Sequence, residues 1–120
     1  MTKIYTYKNC STCKKATRFL KENNITFDEL PIRETPPTTK ELTTMLQNYK
    51  GEIKQLFNRS GKDYRELNMK EKLNTMSQED AITLLNKNGN LVKRPFLLSD
   101  KKGLVGFNDL TWATFFSNES

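Results

Sequence analysis

Ile4-Tyr5-Thr6-Tyr7-Lys8-Asn9-Cys10-Ser11-Thr12-Cys13 runs from a strand pattern into the start of a helix, and this passage sets the reading of the whole chain. Residues 2 to 7 alternate in β-branched and aromatic character, which predicts a strand. Beyond Cys13, Ala16, Phe19 and Leu20 share one helical face, Lys15, Arg18, Lys21 and Glu22 occupy the rest, and Asn23-Asn24 ends the pattern. Cys10 therefore stands at an open helix N-terminus, where the first backbone N–H groups lack intrahelical partners and the macrodipole places about half a positive charge. Both favour a thiolate over a thiol. Lys14 and Lys15 add charge in the first turn, but solvent screens it. Cys13 lies one turn along, within reach of a mixed disulfide on Cys10. Cys10 is thus the candidate nucleophile and Cys13 the candidate resolving thiol, with Ser11 and Thr12 between them as candidate substrate contacts.

Three plainer readings compete with this one. A structural zinc needs about four ligands. The chain has two cysteines and no histidine, so carboxylates or a second protomer would have to complete the set, and no metal is expected. A permanent Cys10–Cys13 bridge closes almost no loop and contributes little stability. Two inert buried thiols are the third alternative. The strand, turn and helix around the pair argue for redox chemistry instead.

At 120 residues and 14.0 kDa the chain suits one domain, 1–120, with one core. The start, Met1-Thr2-Lys3-Ile4-Tyr5, has no signal-peptide pattern, and the apolar runs are too short to span a membrane. The expected setting is a reducing cytoplasm, where a dithiol rests reduced and is oxidised transiently. A net charge of +6 favours anionic substrates or acidic partners. Its basic residues are scattered in pairs such as Lys93-Arg94 and Lys101-Lys102, without interleaved aromatics, so no direct nucleic-acid binding is expected. The chain is expected to act as a monomer.

Further along, Ile25 to Leu30 suits a second strand, and strand, helix, strand in this span implies a right-handed parallel crossover. After Pro36-Pro37, Thr38 and Glu41 have capping-box spacing ahead of an apolar face of Leu42, Met45, Leu46 and Tyr49. Gly51 stops that helix. Ile53, Leu56 and Phe57 start another short helical face, and Tyr64, Leu67 and Met69 mark a further turn. Ser77 is a plausible N-cap for a helix carrying Ala81, Leu84 and Leu85, closed by Gly89. Phe96-Leu97-Leu98 and Leu104-Val105 flank a polar turn and predict an antiparallel hairpin. Asn108 or Asp109 caps a last helix using Leu110, Trp112, Ala113 and Phe116. This order predicts an α/β fold: a thioredoxin-like four-stranded mixed sheet with a helical insert between the second and third strands. The core spans about 1–35 and 90–120, and the insert about 36–89.

Lys93-Arg94-Pro95 stands at the entrance of the third strand. In a thioredoxin-like fold a proline here is expected to be cis and to face the cysteine turn, leaving a bare edge for an incoming thiol or peptide. Pro95 is therefore a candidate substrate contact. Arg94 would lie beside the sulfur, where a guanidinium favours the thiolate and holds a carboxylate or oxyanion bidentately. Asn58-Arg59-Ser60 offers a second guanidinium, although spacing alone does not bring it to Cys10. Tyr5 and Tyr7 read as core or rim of the first strand, not as acid catalysts, and Trp112 reads as packing.

Several stretches in order carry a resemblance: Ile4 to Cys13, Glu34-Thr35-Pro36-Pro37-Thr38, Leu56-Phe57-Asn58-Arg59-Ser60-Gly61, Tyr64-Arg65-Glu66-Leu67, and Lys93 to Leu98 leading to Val105-Gly106-Phe107. Over nearly its whole length the chain resembles the arsenate reductase-like family of ArsC, YffB and Spx proteins. That resemblance implies a nucleophilic cysteine at Cys10, an anion-holding arginine at Arg94, and a second arginine at or next to Arg59. The arsenate reductases carry a third arginine near the end of the last strand, where this chain has Val105-Gly106-Phe107. Losing such a cation removes a charge-assisted hydrogen bond of about 1.5–3 kcal/mol, so true arsenate reduction is disfavoured. Cys13 also departs from reductases that pair one protein cysteine with glutathione. The leading expectation is a thiol–disulfide oxidoreductase with no bound cofactor, served by a thiol reductant such as glutathione or a thioredoxin or glutaredoxin system. The alternative implied is an Spx-like redox-sensing transcription regulator that binds RNA polymerase through the C-terminal domain of its α-subunit, with Gly51 at that contact. Against it, the chain ends at Ser120 without the basic extension of those regulators, and a glycine after a helix is expected as a cap in any case.

Overall fold

A strand with apolar residues on both faces must be covered on both, and β1 (Thr2–Thr6) is the inner strand that fits this description. In the computed structural model, which describes residues 1–119, β1 pairs parallel with β2 (Phe27–Pro31) and antiparallel with β3 (Phe96–Ser99). β3 in turn pairs antiparallel with β4 (Lys102–Val105), giving the order β2-β1-β3-β4. This is the mixed, thioredoxin-like sheet that the order of elements predicts. Ile4 and Leu97 face α1 (Ser11–Glu22) and α6 (Asp109–Glu119), where Ala16, Leu20 and Trp112 complete one apolar layer. Tyr5, Phe96 and Leu98 face the other way, against Leu42, Met45 and Leu46 of α2 (Thr39–Asn48) and Ala81 and Leu85 of α5 (Gln78–Lys87). Two short helices, α3 (Lys62–Glu66) and α4 (Met69–Lys72), fill the middle of the insert and bury Tyr64 and Met69. No helix among the described residues is long and apolar enough to cross a membrane.

Several local expectations need adjustment. The second strand starts at Phe27 rather than Ile25, because the Ile25 N–H still donates to the Leu20 carbonyl at 2.9 Å and so belongs to the helix exit. Ile53–Leu56 is a single 3-10 turn. The insert also reaches back to the sheet: Phe57 bridges Val92, with Asn58 N–H on the Leu91 carbonyl and Lys93 N–H on the Leu56 carbonyl, each at 2.8 Å. Gly89 does not cap α5, since Asn88 does so with extended backbone, and Gly89 opens a 3-10 turn instead. Its missing side chain has another use, taken up below. Gly51, by contrast, ends α2 as expected, with φ +81° and its N–H on the Leu46 carbonyl at 3.0 Å.

The insert is pinned to β1 by one carboxylate. Glu41 completes the capping box with Thr38, and the same carboxylate accepts from the Tyr5 hydroxyl at 2.6 Å and from Lys3 Nζ at 2.8 Å. Burial alone would push its pKa up. The hydrogen bonds from Lys3, Tyr5 and the Thr38 N–H outweigh that and hold it below the ordinary carboxylate range. The stabilisation is therefore present above that range and disappears as pH falls through the depressed value. Glu41→Gln should cost about 1–2 kcal/mol at neutral pH. Urea unfolding of both proteins at neutral pH and near pH 3 checks the sign: the difference between them should shrink in acid.

At the far margin of the sheet, α2 supplies what a fifth strand would have. Asn48 donates to the Lys101 carbonyl at 2.9 Å and accepts from the Gly103 N–H at 3.2 Å. The Tyr49 hydroxyl accepts from the Val105 N–H at 2.9 Å and lies 3.4 Å from the Val105 carbonyl.

Candidate active site

The cysteine turn is built by backbone bonds. Cys10 N–H donates to the Tyr7 carbonyl at 3.1 Å, closing the turn after β1, and the Cys10 carbonyl accepts the first helical bond from Lys14. Cys10 has extended dihedrals and serves as the N-cap of α1, with the Cys13 N–H donating to Cys10 Sγ at 3.1 Å. Sulfur thus takes the place that a serine or aspartate oxygen usually holds. That sulfur faces an N–H at the positive end of the helix.

Both cysteines are free thiols, and their surroundings differ sharply. Cys10 is half-buried at the surface, whereas Cys13 is only 2% exposed. Burial first, then the hydrogen bond with Cys10, push the Cys13 thiol up to about 12; the Tyr7 backbone pulls the other way, and the smaller charge effects of Cys10 and Arg94 oppose each other. Cys13 therefore rests protonated beneath Cys10 at neutral pH.

An open pocket of about 420 Å³ lies over Cys10. One bank comes from the cysteine turn, as Tyr7, Asn9 and Thr12, and the other from Lys93 and Arg94 ahead of β3 with Gly106 and Phe107 beyond β4. Asn58 and Ser60 close the end, carried there by the Phe57–Val92 bridge. The Arg94–Pro95 peptide is cis, and the Pro95 carbonyl accepts from the Gly106 N–H at 2.9 Å. Arg94 Nη2 donates to the Asn90 carbonyl at 2.9 Å, its guanidinium lies 5.4 Å from the Tyr7 ring centre, and its buried Nε has no acceptor among the described residues.

Of the residues singled out in the sequence, Cys10, Thr12 and Arg94 share this pocket, with Cys13 beneath it. Ser11 is exposed at the helix start and does not line it. Pro95 is buried, and the wall beside it is made by Arg94 and Gly106. Arg59 is exposed, and its two neighbours reach the pocket in its stead. Gly51 lies at the end of α2, outside the pocket. Tyr7, Asn9 and Lys93 are pocket residues that the sequence reading missed. Tyr7, read from the sequence as the last residue of the strand, falls one residue past its observed end at Thr6, where an aromatic ring no longer has a sheet face to pack on.

The ArsC family model matches residues 5–115, which contain the entire constellation. The chain belongs to the ArsC family. YusI of Bacillus subtilis is 41% identical over 106 residues, covering 88% of this chain and 90% of that protein. The global transcriptional regulator Spx of Enterococcus faecalis is 30% identical over 109 residues, covering 91% of this chain and 81% of the regulator. The crystal structure of an ArsC-family-related protein from Bacteroides fragilis superposes with a TM-score of 0.88 at 41% identity, over 94% of this chain and 95% of that one.

Proposed function

We propose that this ArsC-family chain is a thiol–disulfide oxidoreductase in which Cys10 attacks and Cys13 resolves. The observation that carries the reading is the Cys13 N–H on Cys10 Sγ, which places a surface sulfur at a helix start directly above a buried, protonated one. In the first step the Cys10 thiolate attacks one sulfur of a substrate disulfide, forming a mixed disulfide and releasing the other half as a thiolate that takes a proton. Bonding at Cys10 removes its charge and its role as hydrogen-bond acceptor, the two influences after burial that hold the Cys13 proton. Burial, the largest influence on Cys13, remains, so Cys13 gives up its proton to the departing substrate half in the same step. It attacks Cys10 Sγ, the second substrate half leaves as a thiol, and the two electrons gained by the substrate are matched by a Cys10–Cys13 disulfide. A thiol reductant, either glutathione or a thioredoxin or glutaredoxin system, must then return two electrons to the protein. Arg94 stands beside the reacting sulfurs as the group that holds a negative oxygen or carboxylate of the substrate.

Selective alkylation tests the division of labour. With the native protein at pH 7, iodoacetamide should modify Cys10 and leave Cys13 unmodified, and Cys13 should react only when the protein is unfolded or the solution is strongly alkaline. Mapping by peptide mass spectrometry reads this out, and equal labelling of both thiols would count against the mechanism.

The second reading is a redox-sensing regulator that contacts RNA polymerase through the C-terminal domain of its α-subunit. The likeness to the Enterococcus faecalis regulator supports it. Co-precipitation with that domain, in a protein that turns over no disulfide, would decide for it.

A further inference from the structure

We propose that Arg33 selects the charge of the disulfide that reaches Cys10, favouring a small disulfide whose thiol half carries a carboxylate. This deepens the thiol–disulfide reading and rests on it. Arg33 lies just after β2, exposed, and its Nη1 donates to the Tyr7 hydroxyl at 3.0 Å while its guanidinium sits 5.0 Å from the Tyr7 ring centre. Arg94 lies over the same ring from the opposite bank of the pocket, with Lys93 beside it. One aromatic ring thus carries two guanidiniums, each attracted to its π-face and each repelled by the other.

The surroundings do nothing to neutralise them. Among the described residues none of Arg33, Lys93 and Arg94 is ion-paired, and no aspartate or glutamate lines the pocket over Cys10. A solvated arginine with no further use would diverge from this crowd. Arg33 is instead held toward it by the Tyr7 hydroxyl, whose oxygen is also approached by the Asn9 amide at 3.3 Å. What relieves the repulsion is an anion, and a planar guanidinium matches a carboxylate in geometry as well as charge. A pocket of about 420 Å³ suits a small molecule. Arg33 does not itself line the pocket, but through Tyr7, which does, it brings a positive charge to the pocket's margin from the side of β2, whereas the far side ends in uncharged Val105-Gly106-Phe107.

The test uses the reduced 120-residue chain and three synthetic disulfides: dithiodiglycolate, which is anionic, hydroxyethyl disulfide, which is neutral, and cystamine, which is cationic. Thiol release is compared with that from a Cys-Ser-Thr-Cys peptide, so that intrinsic reactivity cancels. The expected order of enhancement is anionic, then neutral, then cationic. The anionic-to-neutral ratio should reach about tenfold and fall steeply between about 0.05 and 0.5 M salt. Arg33→Gln should lower that ratio about tenfold, and Arg33→Lys should restore part of it through charge alone. Thermal melting confirms that the surface variants fold, and a merely structural role would not move a charge ratio or its salt slope. If all three disulfides react faster than with the peptide but without regard to charge, or if Arg33→Gln leaves the ratio intact, this proposal is overturned while the oxidoreductase reading stands. If none reacts faster than with the peptide, the parent reading falls and takes this one with it.

Discussion

Cys13→Ser is expected to arrest the reaction at a covalent adduct on Cys10. The first displacement needs only the surface sulfur, the helix start and the cationic pocket, all of which this substitution leaves in place. The second displacement needs a sulfur below Cys10, and a serine hydroxyl cannot attack a disulfide at a useful rate. Intact-mass analysis without reductant should therefore show Cys13→Ser carrying one substrate half, whereas the wild type under the same conditions loses two hydrogen atoms and carries nothing. Turnover should fall by about a hundredfold or more in Cys10→Ser and in Cys13→Ser alike, since residues that act as a unit fail together. Adduct would appear only in the second. Full turnover by Cys13→Ser with no adduct would remove the resolving role and leave Cys10 to act with an external thiol.

Gly89→Ala is the substitution expected to damage the fold most. A β-carbon at this position would stand 1.9 Å from the Ile32 carbonyl oxygen, 2.8 Å from its carbon and 3.1 Å from the Arg33 α-carbon. All three are backbone atoms, and they are not free to retreat: the Ile32 N–H is bonded to the Thr6 carbonyl at 2.9 Å, at the end of the inner strand, and the Ile32 side chain is fully buried. Relief would require moving the whole 3-10 turn away from the sheet. A loss of about 3–5 kcal/mol follows, roughly 10–20 °C in melting temperature for a chain of this size. Gly51→Ala, where only the positive φ opposes a side chain and the nearest atom is the Gln78 amide at 3.6 Å, should cost no more than about 1–2 kcal/mol. Urea titration of the pair separates close approach from backbone handedness. A cost below about 1 kcal/mol for Gly89→Ala would mean that the contact gives way easily. The next residue, Asn90, holds Arg94, and Ile32 adjoins Arg33. The same substitution should therefore disturb Arg94 in the pocket and Arg33 on the outer side of Tyr7.

The difference between these two glycines shows where a linear reading runs out. Gly51 follows a helical pattern and behaves as a cap, because helix ends are local and leave local marks. Gly89 has the same appearance in the sequence, but its reason lies on a backbone 57 positions earlier that no periodicity reveals. Likewise the strand, the cysteine turn, the amphipathic α1 and the Arg94-Pro95 step are legible from spacing, since each is set by neighbours in the chain. The end wall of the pocket is not. Asn58 and Ser60 arrive there through the Phe57–Val92 bridge, and one residue of register turns Arg59 outward between them. Tyr7 and Arg33, 26 residues apart, meet only because β2 lies parallel beside β1.

The insert has an effect unconnected with sulfur. By answering the outer N–H groups of Gly103 and Val105 with the Asn48 and Tyr49 side chains, it takes from that flank of the protein the donors a foreign strand would need. The opposite flank, along β2, defends itself by other means, with two exposed carboxylates and a proline in five residues. Any shortened descendant that kept the cysteine-bearing half and discarded the helices would inherit an adhesive border, and would need a new guard for it before it could remain dispersed at high concentration.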